Sequence, residues 1–177
     1  MKLSRTKIPD ALLIEIEPHG DERGYFARTY CWTELRNAEA RFGTIRQVSI
    51  SFNPQRGTLR GMHWQAPAQP EAKIVRVSSG RIFDVIADLR RDSPAYGQWY
   101  GVELGADRQN AVLIPAGCAH GFLTLEDDCA VDYFMDSDYV PELALGFRWD
   151  DLAFRIEWPF APTLIGERDK TWPGFVR

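Results

Sequence analysis

The sequence has few cysteines, no long apolar run and no excess of basic residues. Its three cysteines, Cys31, Cys118 and Cys129, show no CxxC spacing, so neither a disulfide framework nor a thiolate zinc site is indicated. No apolar stretch approaches the ~20 residues that span a bilayer, and no secretory signal pattern opens the chain. The 21 basic and 25 acidic residues are mixed and give a net charge of -4, which leaves no basic face for nucleic acid. We expect a cytoplasmic protein that binds neither membrane nor nucleic acid.

The 177 residues, of which 45% are hydrophobic, suffice for one compact domain spanning 1–177. Polar residues such as Gln47 and Ser49 alternate with apolar residues such as Val48 and Ile50 over 45–52, which is the period of a β-strand. Further strand-like runs, most of them separated by turn residues, lie at 73–77, 81–89, 99–104, 111–114, 121–125 and 130–135. Only 32–40 and the region around 150–153 look helical. The pattern predicts an all-β sandwich or barrel.

The C-terminal stretch from Trp158 onward contains Pro159, Pro162 and Pro173. Proline donates no backbone hydrogen bond and interrupts helices, so this stretch cannot form a central strand or a long helix. We expect it to wrap over the barrel. A tail held in this way can deliver side chains to the barrel mouth, where small molecules bind in such folds.

Two of the three histidines lie in unusual contexts. His63 lies in 57–65 (GTLRGMHWQ) and His120 in 114–122 (IPAGCAHGF), which together resemble the two motifs of the cupin fold. Metal-binding cupins have a second histidine in the first motif, where this chain has Gln65, and an amide oxygen is a weak ligand for such metals. We therefore expect no metal and no cofactor. A histidine that only packs in the core is the competing interpretation for either residue.

Arg60, Lys73 and Tyr133 stand among apolar neighbours in strand-like runs. A charged side chain is costly to bury unless it is paired or used, so Arg60 and Lys73 are either site residues or strand positions with solvated tips. A strand tyrosine taken by itself is more often a packing aromatic than an acid. Their neighbours along the chain decide between these interpretations.

These motifs occur together, in order and nearly chain-wide, in a pattern that resembles the dTDP-4-dehydrorhamnose 3,5-epimerase family. The matching segments are 21–26 (DERGYF), 57–65, 73–77 with 80–89, 114–122, 139–142 (YVPE), 147–151 (FRWDD) and 167–173 (ERDKTWP). The resemblance implies a cupin-type jelly-roll barrel with short peripheral helices, and a homodimer with an N-terminal strand across the partner. It also implies a metal-independent isomerase that inverts carbon 3, carbon 5 or both in a nucleotide-linked 4-keto-6-deoxyhexose, as in rhamnose biosynthesis.

The resemblance also implies a role for individual residues. His63 is expected to be the general base, oriented by Asp169, and Tyr133 the general acid on the opposite face of the sugar. Lys73 is expected near the oxygen on carbon 4. The residues expected to hold the nucleotide sugar are Arg23, Gln47, Arg60, His120, Arg168 and Tyr139, the last by stacking on the base.

These residue types suit the chemistry of such a reaction. The ketone at carbon 4 acidifies the hydrogens on carbons 3 and 5, so a base can remove one and leave an enolate, which a nearby cation stabilises. Histidine, with an unperturbed pKa of ~6.5, suits the base, and a paired carboxylate fixes its tautomer and favours the imidazolium. Inversion then needs a donor on the other face, such as a tyrosine. Arginines match diphosphate oxygens.

Three positions near the expected nucleotide depart from the common family pattern. Arg28 and Ala144 stand where glutamate is frequent, and Ser49 stands where asparagine is frequent. A charge reversal cannot preserve the same contact, so CDP- and GDP-linked sugars stay open beside dTDP-linked ones. The sequence is also compatible with an epimerase of one carbon, a 3,4-ketoisomerase, a metal-dependent cupin or a catalytically silent binding module. Gln65 disfavours the metal-dependent cupin, and the intact catalytic set disfavours the silent module.

Overall fold

The computed structural model describes residues 1–176, and β-strands dominate it. The strands are, in chain order, β1 (Lys2–Arg5), β2 (Leu12–Glu15), β3 (His19–Asp21), β4 (Gly24–Phe26), β5 (Gln47–Asn53), β6 (Thr58–Gln65), β7 (Lys73–Ser79), β8 (Arg81–Asp88), β9 (Trp99–Gly105), β10 (Asn110–Ile114), β11 (Cys118–Thr124), β12 (Cys129–Met135), β13 (Ala144–Gly146) and β14 (Leu164–Ile165). The helical elements of this part of the chain are α1 (Trp32–Asn37), α2 (Glu167–Thr171) and a 3-10 turn at Pro141–Leu143. None of these helices is long and apolar enough to cross a bilayer. The predicted all-β class is confirmed.

Most strands belong to two antiparallel sheets that face each other. The first sheet has the order β1-β2-β10-β7-β12-β5 and the second the order β13-β6-β11-β8-β9, with β14 pairing in parallel with β6. Alternating apolar residues meet between the sheets, among them the fully buried Val75, Ile86, Val112 and Phe122. Each such side chain contributes roughly 1.5–3 kcal/mol by leaving water. The facing sheets form the jelly-roll barrel expected from the sequence.

The edge strand β5 follows the alternation of its sequence. Ser49 and Ser51 line the space between the sheets, and Ile50 borders it. Val48, Ile50 and Phe52 each keep more than half of their surface exposed. A row of apolar side chains on an edge strand is a ready surface for pairing with another chain. An exposed apolar face of this kind is therefore unusual for a monomeric protein.

The C-terminal segment wraps over the outer face of the second sheet, as its prolines predict. Phe147 and Phe154 stack with their ring centres 4.6 Å apart, and Phe175 packs on both. These rings cover Met62 and Val85 of the sheet. Because residues 147–176 cross this face, helix α2 reaches β6 at the open end of the barrel.

Of the two helical predictions, one is confirmed and one is wrong. Helix α1 begins at Trp32 as predicted and ends at Asn37. Residues 150–153 form turns instead of a helix. The Asp151 carboxylate accepts the Ala153 N–H at 2.7 Å, and Arg155 takes a φ of 51°, which ends the turn.

Candidate active site

A cavity of about 560 Å³ opens between the two sheets where α2 docks. Small-molecule sites typically measure roughly 300–1,000 Å³, so its size fits a ligand. Eight of the ten predicted site residues line it, namely Arg60, His63, Lys73, His120, Tyr133, Tyr139, Arg168 and Asp169. They come from β6, β7, β11, β12, the loop that follows β12, and the C-terminal segment. Both sheets and the tail therefore build the site.

The other two predicted residues, Gln47 and Arg23, lie outside the cavity lining. The Oε1 of Gln47 accepts the backbone N–H of Tyr139 at 2.6 Å, so Gln47 supports the wall. Arg23 lies at the β3–β4 hairpin, where its side chain is 85% exposed and pairs with Asp21. The structure thus does not bring Arg23 together with the other site residues of its own chain.

His63 and Asp169 form a histidine–carboxylate dyad across the junction between barrel and tail. The His63 Nε2 lies 2.5 Å from Asp169 Oδ1, and Asp169 is buried. Burial alone raises the pKa of Asp169, but the hydrogen bond and charge of His63, with the Gly61 N–H at 3.1 Å, bring it below its ordinary value. An ionised Asp169 accepts the Nε2–H of His63. The lone pair of His63 then lies on Nδ1, which can take up a proton.

Two glycines let β6 and β11 approach closely enough to place their histidines side by side. His63 and His120 lie directly opposite each other in the pairing of β6 with β11. The register of the two strands shifts between His120 and Phe122. A Cβ at Gly61, whose φ is 127°, would lie 2.5 Å from the Cα of Gly121. A side chain at Gly61 would therefore separate the strands and move both histidines.

Tyr133 lies on β12 of the facing sheet, so it approaches the cavity from the side opposite β6. Its ring packs against the core and edge-on to His120, with ring centres 5.9 Å apart. Burial raises the pKa of Tyr133 well above its ordinary value, and the negative charge of Asp84 adds to this, while Arg60 opposes it. The hydroxyl therefore stays protonated at neutral pH, so a proton is present on this side of the cavity.

Lys73 lines the cavity within an ion pair that sequence reasoning missed. Its Nζ lies 2.7 Å from Glu71 Oε1, and the two side chains are only 11% and 6% exposed. The ion pair offsets the cost of burying the two groups and fixes the position of the Lys73 Nζ. The sequence did contain a signal for this pair. Glu71 and Lys73 are two positions apart, which places both side chains on one face of an extended segment.

A second histidine–carboxylate pair, also missed from the sequence, lies beside the cavity. His120 Nε2 is 2.7 Å from Asp84 Oδ2, and Asp84 is fully buried. Within residues 1–176 the other oxygen, Oδ1, has no hydrogen-bond partner. The pair fixes the His120 ring at the cavity wall. Asp84, the one carboxylate inside the apolar run 82–87, was the signal that pointed to it.

The cavity wall also carries two cations and an aromatic ring. Arg60 Nε donates to Asn53 Oδ1 at 2.8 Å. Arg168 Nη2 donates to the Ala144 carbonyl at 3.3 Å. Tyr139 is 52% exposed, which leaves its ring free to stack on a ligand. This combination suits an anion joined to a flat ring.

The three departures from the family pattern do not lie together. Ser49 and Ala144 line the cavity, where their short side chains leave room for a ligand. Arg28 lies outside it and pairs with Glu34 at 2.6 Å. Within this chain, the reversed charge at Arg28 therefore does not face the cavity.

Gln65, at the position of the second histidine in metal-binding cupins, supports a loop. Its Oε1 accepts the Val140 N–H at 3.1 Å, and its Nε2 donates to the Gln69 carbonyl at 2.8 Å. Across residues 1–176, no three His, Cys, Asp or Glu side chains are grouped so as to hold a metal ion. Gln65 thus has a structural use in this barrel.

Comparisons with known proteins find likenesses over nearly the whole chain. A sequence profile described as dTDP-4-dehydrorhamnose 3,5-epimerase matches residues 5–176. The dTDP-4-dehydrorhamnose 3,5-epimerase of Methanothermobacter thermautotrophicus is 41% identical over 173 residues, which cover 95% of this chain and 91% of the relative. The crystal structure of the Bacillus anthracis enzyme of that name, with TDP and PPi bound, has a TM-score of 0.94 at 35% identity and covers 98% of this chain and 99% of its own. A double variant of a 3'-monoepimerase from Streptomyces bikiniensis, in complex with dTDP, has a TM-score of 0.88 at 30% identity and covers 96% and 85%.

Proposed function

This chain belongs to the dTDP-4-dehydrorhamnose 3,5-epimerase family, and from that premise we propose how its cavity carries out the reaction. The protein is an isomerase that epimerises a nucleotide-linked keto sugar in deoxysugar biosynthesis. One observation carries the mechanism. The His63–Asp169 dyad and Tyr133 approach a single cavity from facing sheets, as inversion of a carbon between them requires.

His63 is the general base. Its Nδ1 takes the proton from carbon 3 or carbon 5 beside the ketone, and the ionised Asp169 stabilises the resulting imidazolium. The electron pair left on the sugar collects on the oxygen of carbon 4 as an enolate. Lys73, with Glu71 as its counter-ion, donates to that oxygen and offsets the new charge.

Tyr133 returns a proton to the opposite face of the same carbon, which inverts it. Its raised pKa keeps the proton in place until the enolate has formed. One inversion leaves His63 protonated and Tyr133 ionised, and exchange of each with water through the open cavity restores the starting state. In support, the Streptomyces bikiniensis variant replaces one histidine and one tyrosine at the same separation along the chain as His63 and Tyr133.

The nucleoside diphosphate lies along the wall of cations and aromatic rings. Arg60 and Arg168 pair with diphosphate oxygens, for which guanidinium groups offer bidentate contacts. Tyr139, positioned by Gln47, stacks on the base, and His120, held at the cavity wall by Asp84, lies beside the sugar diphosphate. The relatives that hold TDP or dTDP support a thymidine carrier over a CDP or GDP one.

The test is incubation with dTDP-4-keto-6-deoxyglucose in deuterated water, with the hydrogens on carbons 3 and 5 followed by NMR. We expect deuterium at both carbons. Deuterium at only one would indicate a mono-epimerase, the activity of the Streptomyces bikiniensis relative, and movement of the ketone to carbon 3 would indicate a 3,4-ketoisomerase. The CDP- and GDP-linked sugars are matched controls. Absence of exchange with all three would leave a silent binding module.

We also propose that the chain works as a homodimer in which the β3–β4 hairpin completes the neighbouring site. Tyr25 and Phe26 on the hairpin are 58% and 81% exposed, and Val48 and Ile50 belong to the apolar row on β5. Arg23 extends from the same hairpin, away from its own cavity. Pairing with a second copy would cover these apolar side chains and supply a further guanidinium for the diphosphate.

Mixing two inactive variants tests this arrangement. Arg23→Ala and His63→Asn are each expected to be weakly active alone. In a mixed dimer, one of the two sites keeps both residues, so refolding the variants together should restore part of the activity. Light scattering at micromolar concentration should give about twice the 20.2 kDa of the chain. A monomeric mass, or no gain on mixing, would contradict the proposal.

A further inference from the structure

The Asp169 carboxylate accepts hydrogen bonds from two parts of the chain. The His63 Nε2, at 2.5 Å, and the Trp172 indole N–H, at 3.3 Å, both approach Oδ1, and the Gly61 N–H lies 3.1 Å from Oδ2. His63 and Gly61 belong to β6, whereas Trp172 follows α2 in the tail. The Trp172 ring also meets the His63 ring edge-on, with ring centres 6.3 Å apart. Trp172 therefore touches both members of the dyad.

A glycine makes room for this indole. Gly146 lies on β13, directly opposite His63 in the register with β6. A Cβ at Gly146 would overlap the Trp172 ring and would lie 2.5 Å from its Nε1. The backbone of β13 thus passes the ring at a distance that only glycine allows, and the N–H can reach the Asp169 carboxylate.

Other contacts hold the ring and the chain on either side of it. The Arg168 guanidinium lies 4.8 Å from the centre of the Trp172 ring. Directly after Trp172, the Pro173 carbonyl accepts the Arg148 N–H at 3.3 Å, which ties the tail to the barrel. The indole is therefore confined between the cavity wall and β13.

We propose that Trp172 is a positioning residue that holds the Asp169 carboxylate, and through it the His63 imidazole, in the orientation needed for proton abstraction. The proposal rests on the proposed role of His63 as the general base. Without the indole donor, Oδ1 keeps only its bond to His63, and the carboxylate rotates more freely about its Cβ–Cγ bond. The Nδ1 of His63 then points at the substrate carbon for a smaller share of the time.

The test compares Trp172→Phe with the wild type in the deuterium-exchange assay. Phenylalanine keeps an aromatic face for Arg168 and removes the donor. At saturating substrate, exchange should slow by roughly three- to tenfold, the effect of one hydrogen bond, while KM stays within about twofold of the wild type. In an Asp169→Ala background the same substitution should cause no further loss, because no side-chain oxygen remains to be held.

Gly146→Ala is the matched second variant, because it displaces the indole without changing it and should slow the same step. Circular dichroism at the assay temperature shows whether each variant is folded. If Trp172→Phe does not fold, 3-benzothienylalanine at this position keeps the bicyclic shape and places sulfur where the N–H was. Wild-type exchange without the donor, or an equal loss in the Asp169→Ala background, overturns the positioning role. Absence of exchange in the wild-type protein would refute the general-base reaction itself.

Discussion

Replacing Tyr133 with phenylalanine removes one hydroxyl and leaves the ring in place. The ring packs against the core and against His120, so the cavity wall is retained. His63 and Lys73 also remain, and the enolate therefore still forms. We expect solvent deuterium to continue to enter the substrate, mostly from the original face, while inversion largely stops.

The environment of the hydroxyl sets the size of this effect. An unperturbed tyrosine has a pKa of ~10, and burial, with the charge of Asp84, raises that of Tyr133 further. Fewer than about one in a thousand molecules is therefore ionised at pH 7, so nearly every molecule begins with its donor in place. Loss of a general acid slows its step by roughly 10²- to 10⁴-fold. Inversion should fall by this factor and exchange by less than about tenfold.

One NMR sample in deuterated water measures both quantities. Deuterium at carbons 3 and 5 reports formation of the enolate, and the couplings between ring protons report configuration. The control is the melting temperature of Tyr133→Phe, which should match the wild type because the ring is kept. Inversion at the wild-type rate, or a loss of exchange as complete as in His63→Asn, would show that Tyr133 is not the acid.

Four further predictions follow from the same contacts. His63→Asn should abolish exchange and inversion together, by roughly 10²- to 10⁴-fold in the same NMR assay; retained exchange would point to another base. Glu71→Gln should slow turnover roughly tenfold with little change in KM, because Lys73 loses the ion-pair partner 2.7 Å away that holds its Nζ in place; a rise in KM alone in steady-state kinetics would contradict this. EDTA should leave turnover unchanged, and a loss that one added divalent ion restores would refute metal independence. Because the pKa of Asp169 is lowered in the folded state, this carboxylate stabilises the fold at pH values above its ordinary pKa of 3.8, and the stabilisation is lost as pH falls through the lower folded-state pKa. Acid unfolding followed by circular dichroism should therefore be less steep in Asp169→Asn. Equal unfolding curves for the two proteins would refute this linkage.

The edge strand β5 shows what a local pattern predicts. The alternation over 45–52 correctly separates Ser49, which lines the cavity, from Val48 and Phe52, which lie on the outer face. A strand's period of two depends only on its own residues. The wrong helix at 150–153 shows the limit of the same reasoning, because the Asp151 side chain captures a backbone N–H there.

The dyad required more than a local pattern. Asp169 lies 106 residues from His63, and no periodicity links them, so only the family resemblance paired them. Lys73 stood out in the sequence as a charge among apolar neighbours. Glu71 could not be recognised as its partner, because their pairing depends on how the folded chain buries both side chains. Trp172 offered no signal at all. Its contact with the Asp169 carboxylate depends on Gly146 of β13, which lies beside it only in the folded structure.

The division of the dyad between barrel and tail has a consequence for folding. Neighbouring strands such as β8 and β9 pair after closing a short loop. Joining His63 to Asp169 closes a loop of roughly a hundred residues, as do the β2–β10 and β6–β14 pairs, and such closures cost more chain entropy. On refolding from denaturant, the circular dichroism of the locally paired strands should therefore recover before the ability to exchange substrate hydrogens. The delay between the two signals measures the interval between strand pairing and the arrival of the Asp169 carboxylate beside His63.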